Sequence, residues 1–189
     1  MDAIALLTAD HNRFRGLFTR FEESVEQDDT EAMTELAQEI ATELDVHTTI
    51  EEELFYPAMR QLDELDSVVA EGLEEHSVAK SLLEQIRDGN PRSEEWPAKM
   101  KVLIENVEHH VEEEETGMFL SARRQLDKAA LIELSEVMER RKSELGAAIS
   151  KDMDGLSTTE LRRRASEQQI PGRSSMNREE LASTIGLDK

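Results

Sequence analysis

His110-Val111-Glu112-Glu113-Glu114, read beside the earlier His47-Thr48-Thr49-Ile50-Glu51, decides how this chain folds. Each stretch sets a histidine and a glutamate four residues apart. On an α-helix that step advances about 400°, so the two side chains stack on one face, one turn apart. An imidazole and a carboxylate presented together are a chelating pair for a transition metal. Apolar residues flank both pairs in the same register. Ile40 and Leu44 precede His47 and Leu54 follows Glu51; Leu103 and Val107 precede His110 and Met118 follows Glu114. This spacing assigns the ligand types to the core-facing stripe of two helices.

Working outward, Ile4, Leu7, His11, Phe14, Phe18, Phe21 and Val25 form an unbroken helical stripe, with His11 inside it. Asp28, Asp29 and Thr30 supply a stop and an N-cap. The second helix is expected from about Glu31 to Tyr56, where Pro57 ends or kinks it. The third begins near Asp66 or Ser67 and turns Val69, Leu73, His76, Leu83 and Ile86 inward. Asp88-Gly89-Asn90-Pro91 is a turn, and the fourth helix, from Ser93 or Glu94, carries His110 and Glu114. Asp127 caps a fifth helix to about Asp152, expected outside the bundle. Each half is thus a helical hairpin bearing one lone histidine and then one histidine–glutamate pair. The expected fold is all-α: an antiparallel up-down four-helix bundle over residues 1–125, an additional helix or connector over 126–154, and a small helix–loop–helix module over 155–189.

Composition agrees. The 189 residues include only 8 Gly and 4 Pro, and aromatics are 4%, which favours long helices over sheet. The absence of Cys excludes disulfides, zinc–thiolate sites, iron–sulfur clusters and thiol catalysis. A net charge of −21 argues for solubility and against general affinity for nucleic acid or anionic membranes. No signal peptide or membrane-length apolar run is visible, so a cytoplasmic location is expected.

A lone histidine on an apolar stripe is ordinarily a core histidine bonded to a backbone carbonyl. A lone His-x-x-x-Glu among acidic helices carries little information; Glu112, Glu113 and Glu115 read as solvated face. The whole constellation is different. Burying four imidazoles and two carboxylates without compensation would cost many kcal/mol, and bound metal removes that conflict. The candidate ligands are His11, His47, Glu51, His76, His110 and Glu114. Similar hairpin halves place them about an approximate two-fold axis, which suits two ions better than one.

This order of motifs, over roughly residues 1–125, resembles the hemerythrin-like, HHE cation-binding family, as do the stretches from Glu51 to Pro57 and from His109 to Glu115. The resemblance implies a non-haem di-iron centre with an oxo or hydroxo bridge, His11, His47, His76 and His110 as terminal ligands, and Glu51 and Glu114 as bridges. Oxygen-carrying hemerythrins have a second histidine where this chain has Lys80, so the set is poorer in histidine, as in sensor and peroxide-reactive relatives. His109 offers a fifth imidazole but lies about 100° off the stripe, and reads rather as surface or as a residue behind the ligands; Tyr56 lies about half a turn from His47 and reads as packing or an interface residue. The Glu-x-x-His of ferritin-like proteins and the His-Glu-x-x-His of zincins are both absent.

An apolar lining of Leu7, Phe14, Leu44 and Val107 favours a small neutral ligand: O₂, peroxide or nitric oxide. Binding or sensing such a species is the first expectation. Peroxide disproportionation, or an iron-responsive interaction protein with a nucleic-acid-binding tail, are the alternatives. The tail, residues 155–189, has a net charge of +1, against −22 on residues 1–154. It resembles the helix–loop–helix found at the N-terminus of Rho termination factor and in SAP-like domains, which implies nucleic-acid contact through Arg162, Arg163, Arg164, Arg173 and Arg178.

Overall fold

A computed structural model describes residues 1–152 and, beyond them, residues 170, 176 and 184. All regular elements among the described residues are helical. They are α1 (Ala3–Glu26), α2 (Thr30–Ile50), a π-helical turn π1 (Glu51–Phe55), α3 (Tyr56–Met59), α4 (Asp66–Arg87), α5 (Glu95–Glu113), a second π turn π2 (Glu114–Met118), α6 (Phe119–Gln125) and α7 (Lys128–Asp152). The module expected over 155–189 lies, those isolated residues apart, outside the described residues.

The caps expected at Asp29 and Asp127 form, and Asp2 supplies one more. Asp2 accepts a hydrogen bond from the Ala5 amide at 2.8 Å, Asp29 from Ala32 at 3.0 Å and Asp127 from Ala130 at 2.8 Å. Each satisfies an amide that the first helical turn leaves without a partner. Asp28 closes the α1–α2 turn at φ 54°, a left-handed conformation that aspartate tolerates better than most residues.

Four long helices pack in a ring, α1 on α2, α2 on α4, α4 on α5 and α5 on α1. Phe14, Phe18, Phe21, Ile40, Leu44, Leu83, Met100 and Leu103 fill the centre. Burying each such side chain contributes about 1.5–3 kcal/mol, which is what holds polar groups in a dry interior nearby. At one end Trp96 is buried and donates its indole N–H to the Ile86 carbonyl at 2.9 Å.

The chain divides into two compact units, Met1–Lys142 and Ser143–Lys189. The first includes the start of α7, which docks through buried Leu131 and Met138, a Ser135 hydroxyl donating to the Met1 carbonyl at 2.8 Å, and an Arg141–Glu53 pair.

Two details depart from the expected helices. Helical structure continues through Pro57 to Met59, because Pro57 falls in the first turn of α3, where a missing amide costs little. After each His/Glu pair the helix widens into a π turn. The turn inserts one residue and rotates the helix beyond it by about 100°. Hence Phe55 and Tyr56 are buried after Glu51, where Leu54 was expected to be.

Candidate metal centre

All six predicted ligands meet. His11 comes from α1, His47 from α2, His76 from α4 and His110 from α5; Glu51 and Glu114 open the two π turns. None is more than 5% exposed. His11 Nε2 lies 3.4 Å from Glu114 Oε2, and His110 Nε2 lies 3.7 Å from the same oxygen. His47 and His76 Nε2 lie 3.2 and 3.4 Å from Glu51 Oε2. Two donor groups result, His11/His47/Glu51/Glu114 and Glu51/His76/His110, each with its atoms within 4.8 Å of one another and both using Glu51.

The outward nitrogens meet a ring of carboxylates. His11 Nδ1 is 3.0 Å from Glu115, His76 Nδ1 2.9 Å from Glu52, His110 Nδ1 2.7 Å from Glu75, and His47 Nδ1 3.5 Å from Asp10, a long contact. Three of these acids are held in turn by a cation: Glu115 by Arg15 at 2.8 Å, Glu52 by Lys80 at 2.7 Å, and Asp10 by Lys142 of α7. His47 Nδ1 and the Asp10 Oδ2 beside it are buried without a hydrogen bond. At His11, His76 and His110 the carboxylate on Nδ1 fixes the proton there, so a neutral ring turns its Nε2 lone pair inward. This explains why His76 and His110 face each other Nε2 to Nε2 at 3.1 Å. Two lone pairs so placed repel unless a proton or a metal ion lies between them.

The ring follows the pseudo-repeat. The acid just before each lone histidine (Asp10, Glu75) backs the paired histidine of the same hairpin. The acid just after each paired glutamate (Glu52, Glu115) backs the lone histidine of the other hairpin. Glu115 is therefore part of the site and not solvated face. The sequence signal was the repeated text Asp10-His11 and Glu75-His76, with Glu51-Glu52 and Glu114-Glu115.

Tyr56 also enters the site, against its reading as packing. Its amide donates to the Glu51 carbonyl across π1, so it lies one widened turn above Glu51 on the same face. Its hydroxyl donates to Glu114 Oε1 at 3.0 Å and lies 3.2 and 3.4 Å from His76 and His110 Nε2. Gly72 makes room for it: a Cβ there would sit 2.9 Å from that oxygen. His109 stays at the surface, 63% exposed.

Electrostatics favour a cation. Burial, together with the Glu114 charge, pushes the Glu51 carboxyl far above its usual range. Burial also works against ionisation of Glu114, but His11, His110 and His47 outweigh it and hold that group at about 2. Burial lowers His11 and His110, yet the acids around them raise both overall. Burial dominates at His47, which falls to about 4 despite Asp10. Without metal these directions favour protons on His11, His110 and Glu51, the side chains closest to the uncompensated charge. Even so, His11 Nε2, His47 Nε2, both Glu51 oxygens and Glu114 Oε2 are buried without a hydrogen-bond partner. Buried polar atoms are rarely left so. Ligand atoms about 2.1 Å from one ion and at right angles lie about 3 Å apart, close to the spacings found. The residues fit a bound metal.

Residues 2–120 match the family described as Hemerythrin HHE cation binding domain. The chain belongs to that family. A solved hemerythrin HHE cation binding domain-containing protein from Mycobacterium kansasii superposes on this hemerythrin-family chain with a TM-score of 0.70. It is 24% identical, and the match covers 82% of this chain and 95% of that one, a likeness of fold. A Nostoc sp. protein named "DNA nickase" is 33% identical over 147 residues, 77% of this hemerythrin-family chain but only 38% of the relative. The chain thus spans about two fifths of that relative's length. Among the described residues no helix is long and apolar enough to cross a membrane.

Proposed function

We propose that the chain is a non-haem di-iron protein that binds or senses O₂, peroxide or nitric oxide. One observation carries this reading: four inward Nε2 atoms and two carboxylates meet in a dry interior as two donor groups sharing Glu51, each imidazole backed by an acid. Mixed imidazole and carboxylate donors suit iron better than magnesium or calcium, which prefer oxygen alone. In this reading His11, His47, Glu51, His76, His110 and Glu114 would hold the irons, with Glu51 available to both, and the ring of long helices is an antiparallel up-down bundle. When bound, such iron supplies reversible coordination and redox chemistry toward small ligands.

The protein's own part is to hold and exclude. The outer carboxylates keep the His11, His76 and His110 imidazoles in their ligating tautomer. Leu44, Ala79, Val107 and Val111 line a narrow cavity that reaches His47, His76 and His110, an apolar approach suited to small neutral molecules. Tyr56 keeps its proton, because burial and the nearby Glu51 and Glu114 charges raise it above the ordinary phenol range. It is the hydrogen-bond donor that faces the second donor group. Purification after growth in iron-supplied medium should yield about two irons per chain and an oxo-to-iron absorption band. Protein that takes up no iron and shows no such band overturns the proposal.

Tyr56 also favours a second reading, peroxide disproportionation, since it holds a transferable proton at the site. Peroxide consumption that is present in the wild type and falls in Tyr56→Phe at unchanged iron content would place the activity there. A nucleic-acid partner for the tail is proposed from its arginines and from the name of the Nostoc relative. Retention of full-length chain by DNA at low salt, lost when Arg162, Arg163 and Arg164 are all changed to Gln, is its test.

A further inference from the structure

The outer ring of acids is matched, position by position, by cations at three places out of four. Arg15 and Lys80, each four residues after a lone histidine, hold Glu115 and Glu52. Lys142 of α7 holds Asp10. By the pseudo-repeat, Asp10 corresponds to Glu75, and no Lys or Arg among the described residues pairs with Glu75. Its outer oxygen instead faces His109 Nε2 at 3.9 Å, and that nitrogen lies 3.3 Å from Glu113.

His109 and Glu113 are again a histidine and a glutamate one helical turn apart, one residue out of phase with the buried His110 and Glu114. Their donor atoms and that of Glu75 lie within 4.8 Å of one another. The corresponding residues of the other hairpin, Val46 and Ile50, are apolar and buried, so the repeat itself does not require ligand types here. One imidazole and two carboxylates on a strongly acidic chain form a set for a borderline divalent ion.

We propose that His109, Glu113 and Glu75 form a solvent-facing site for a divalent first-row transition ion, which supplies Glu75 with the positive charge that Lys142 supplies to Asp10. The second Glu75 oxygen holds His110 Nδ1 at 2.7 Å, so this ion sits one carboxylate away from the buried centre. Glu75 is thereby shared between two metals, as a ligand outside and as a positioning residue inside.

The test titrates Co²⁺ into iron-loaded full-length protein. Calorimetry counts the added ion, and the paramagnetic shift of the His109 ring protons locates it. One extra Co²⁺ per chain is expected, with the His109 resonances moved. His109→Ala and Glu113→Gln should weaken that step by about 10–100-fold or more while leaving iron content unchanged. His109 is largely exposed and Glu113 partly so, and neither lies in the core, so neither change threatens the fold. No extra Co²⁺ on the wild type, or binding that both variants leave intact, overturns the proposal. The site stands apart from the di-iron reading. If the buried centre takes no iron, that reading fails, and the same titration on metal-free chain still reports a His109-dependent equivalent or its absence.

Discussion

The two π turns invite comparison because they are built alike and end differently. Each opens on a buried glutamate and closes on an aromatic residue whose amide bonds back to that glutamate. After Glu51 the aromatic residue is Tyr56, stacked on His76 with centroids 5.3 Å apart; after Glu114 it is Phe119, stacked on His11 at 5.6 Å. One hydroxyl therefore distinguishes the aromatic walls at the two ends of the centre. The end holding His76 and His110 has a proton donor, whereas the His11 end is walled by hydrocarbon. A duplicated scaffold can in this way give two like donor groups unlike chemistry, by changing one atom beside them.

The largest expected effect tests what the two ends share. Glu51 serves both donor groups and His76 only one. Glu51→Ala should lose nearly all bound metal, whereas His76→Ala should retain about one ion per chain, measured by elemental analysis of dialysed protein. Equal losses in the two variants would mean that the groups are not separable.

Protonation offers the next contrast. In metal-free chain His11, His110 and Glu51 are raised above their unfolded values of 6.5, 6.5 and 4.5. A group whose folded value is raised keeps its proton after the unfolded chain has begun to lose it, so folding stability falls as pH rises from each unfolded value through the raised one. Between pH 4.5 and 6.5 the Glu51 trend is opposed by His47, whose value is depressed to about 4. Metal displaces those protons, so the loaded protein should gain stability over the same alkaline range. Urea melts at pH 6.5 and 8.0, with and without iron, should slope in opposite directions.

Smaller effects sharpen the tyrosine difference. Gly72→Ala places a methyl group against the Tyr56 hydroxyl and should cost about 1–3 kcal/mol in urea melts, with Tyr56 displaced from Glu114. Tyr56→Phe makes the two ends alike. It should leave the bound metal content unchanged, cost about 1 kcal/mol, and change the rate at which the loaded protein reacts with peroxide. Unchanged reactivity would mean that the hydroxyl does not distinguish the ends.

The sequence by itself determined the helices, the caps at Asp29 and Asp127, and the six inward histidine and glutamate side chains, because a stripe of spacing and type survives in one dimension. Only the tertiary structure decided which acid backs which histidine, since Asp10 and Glu52 act on residues of other helices that no local period connects to them. Tyr56 escaped for a related reason. Its direction depends on a single inserted residue in the turn after Glu51, and a π turn differs from an α turn by a backbone choice that packing, and not periodicity, makes. The same holds for Lys142, whose place beside Asp10 was settled when α7 docked.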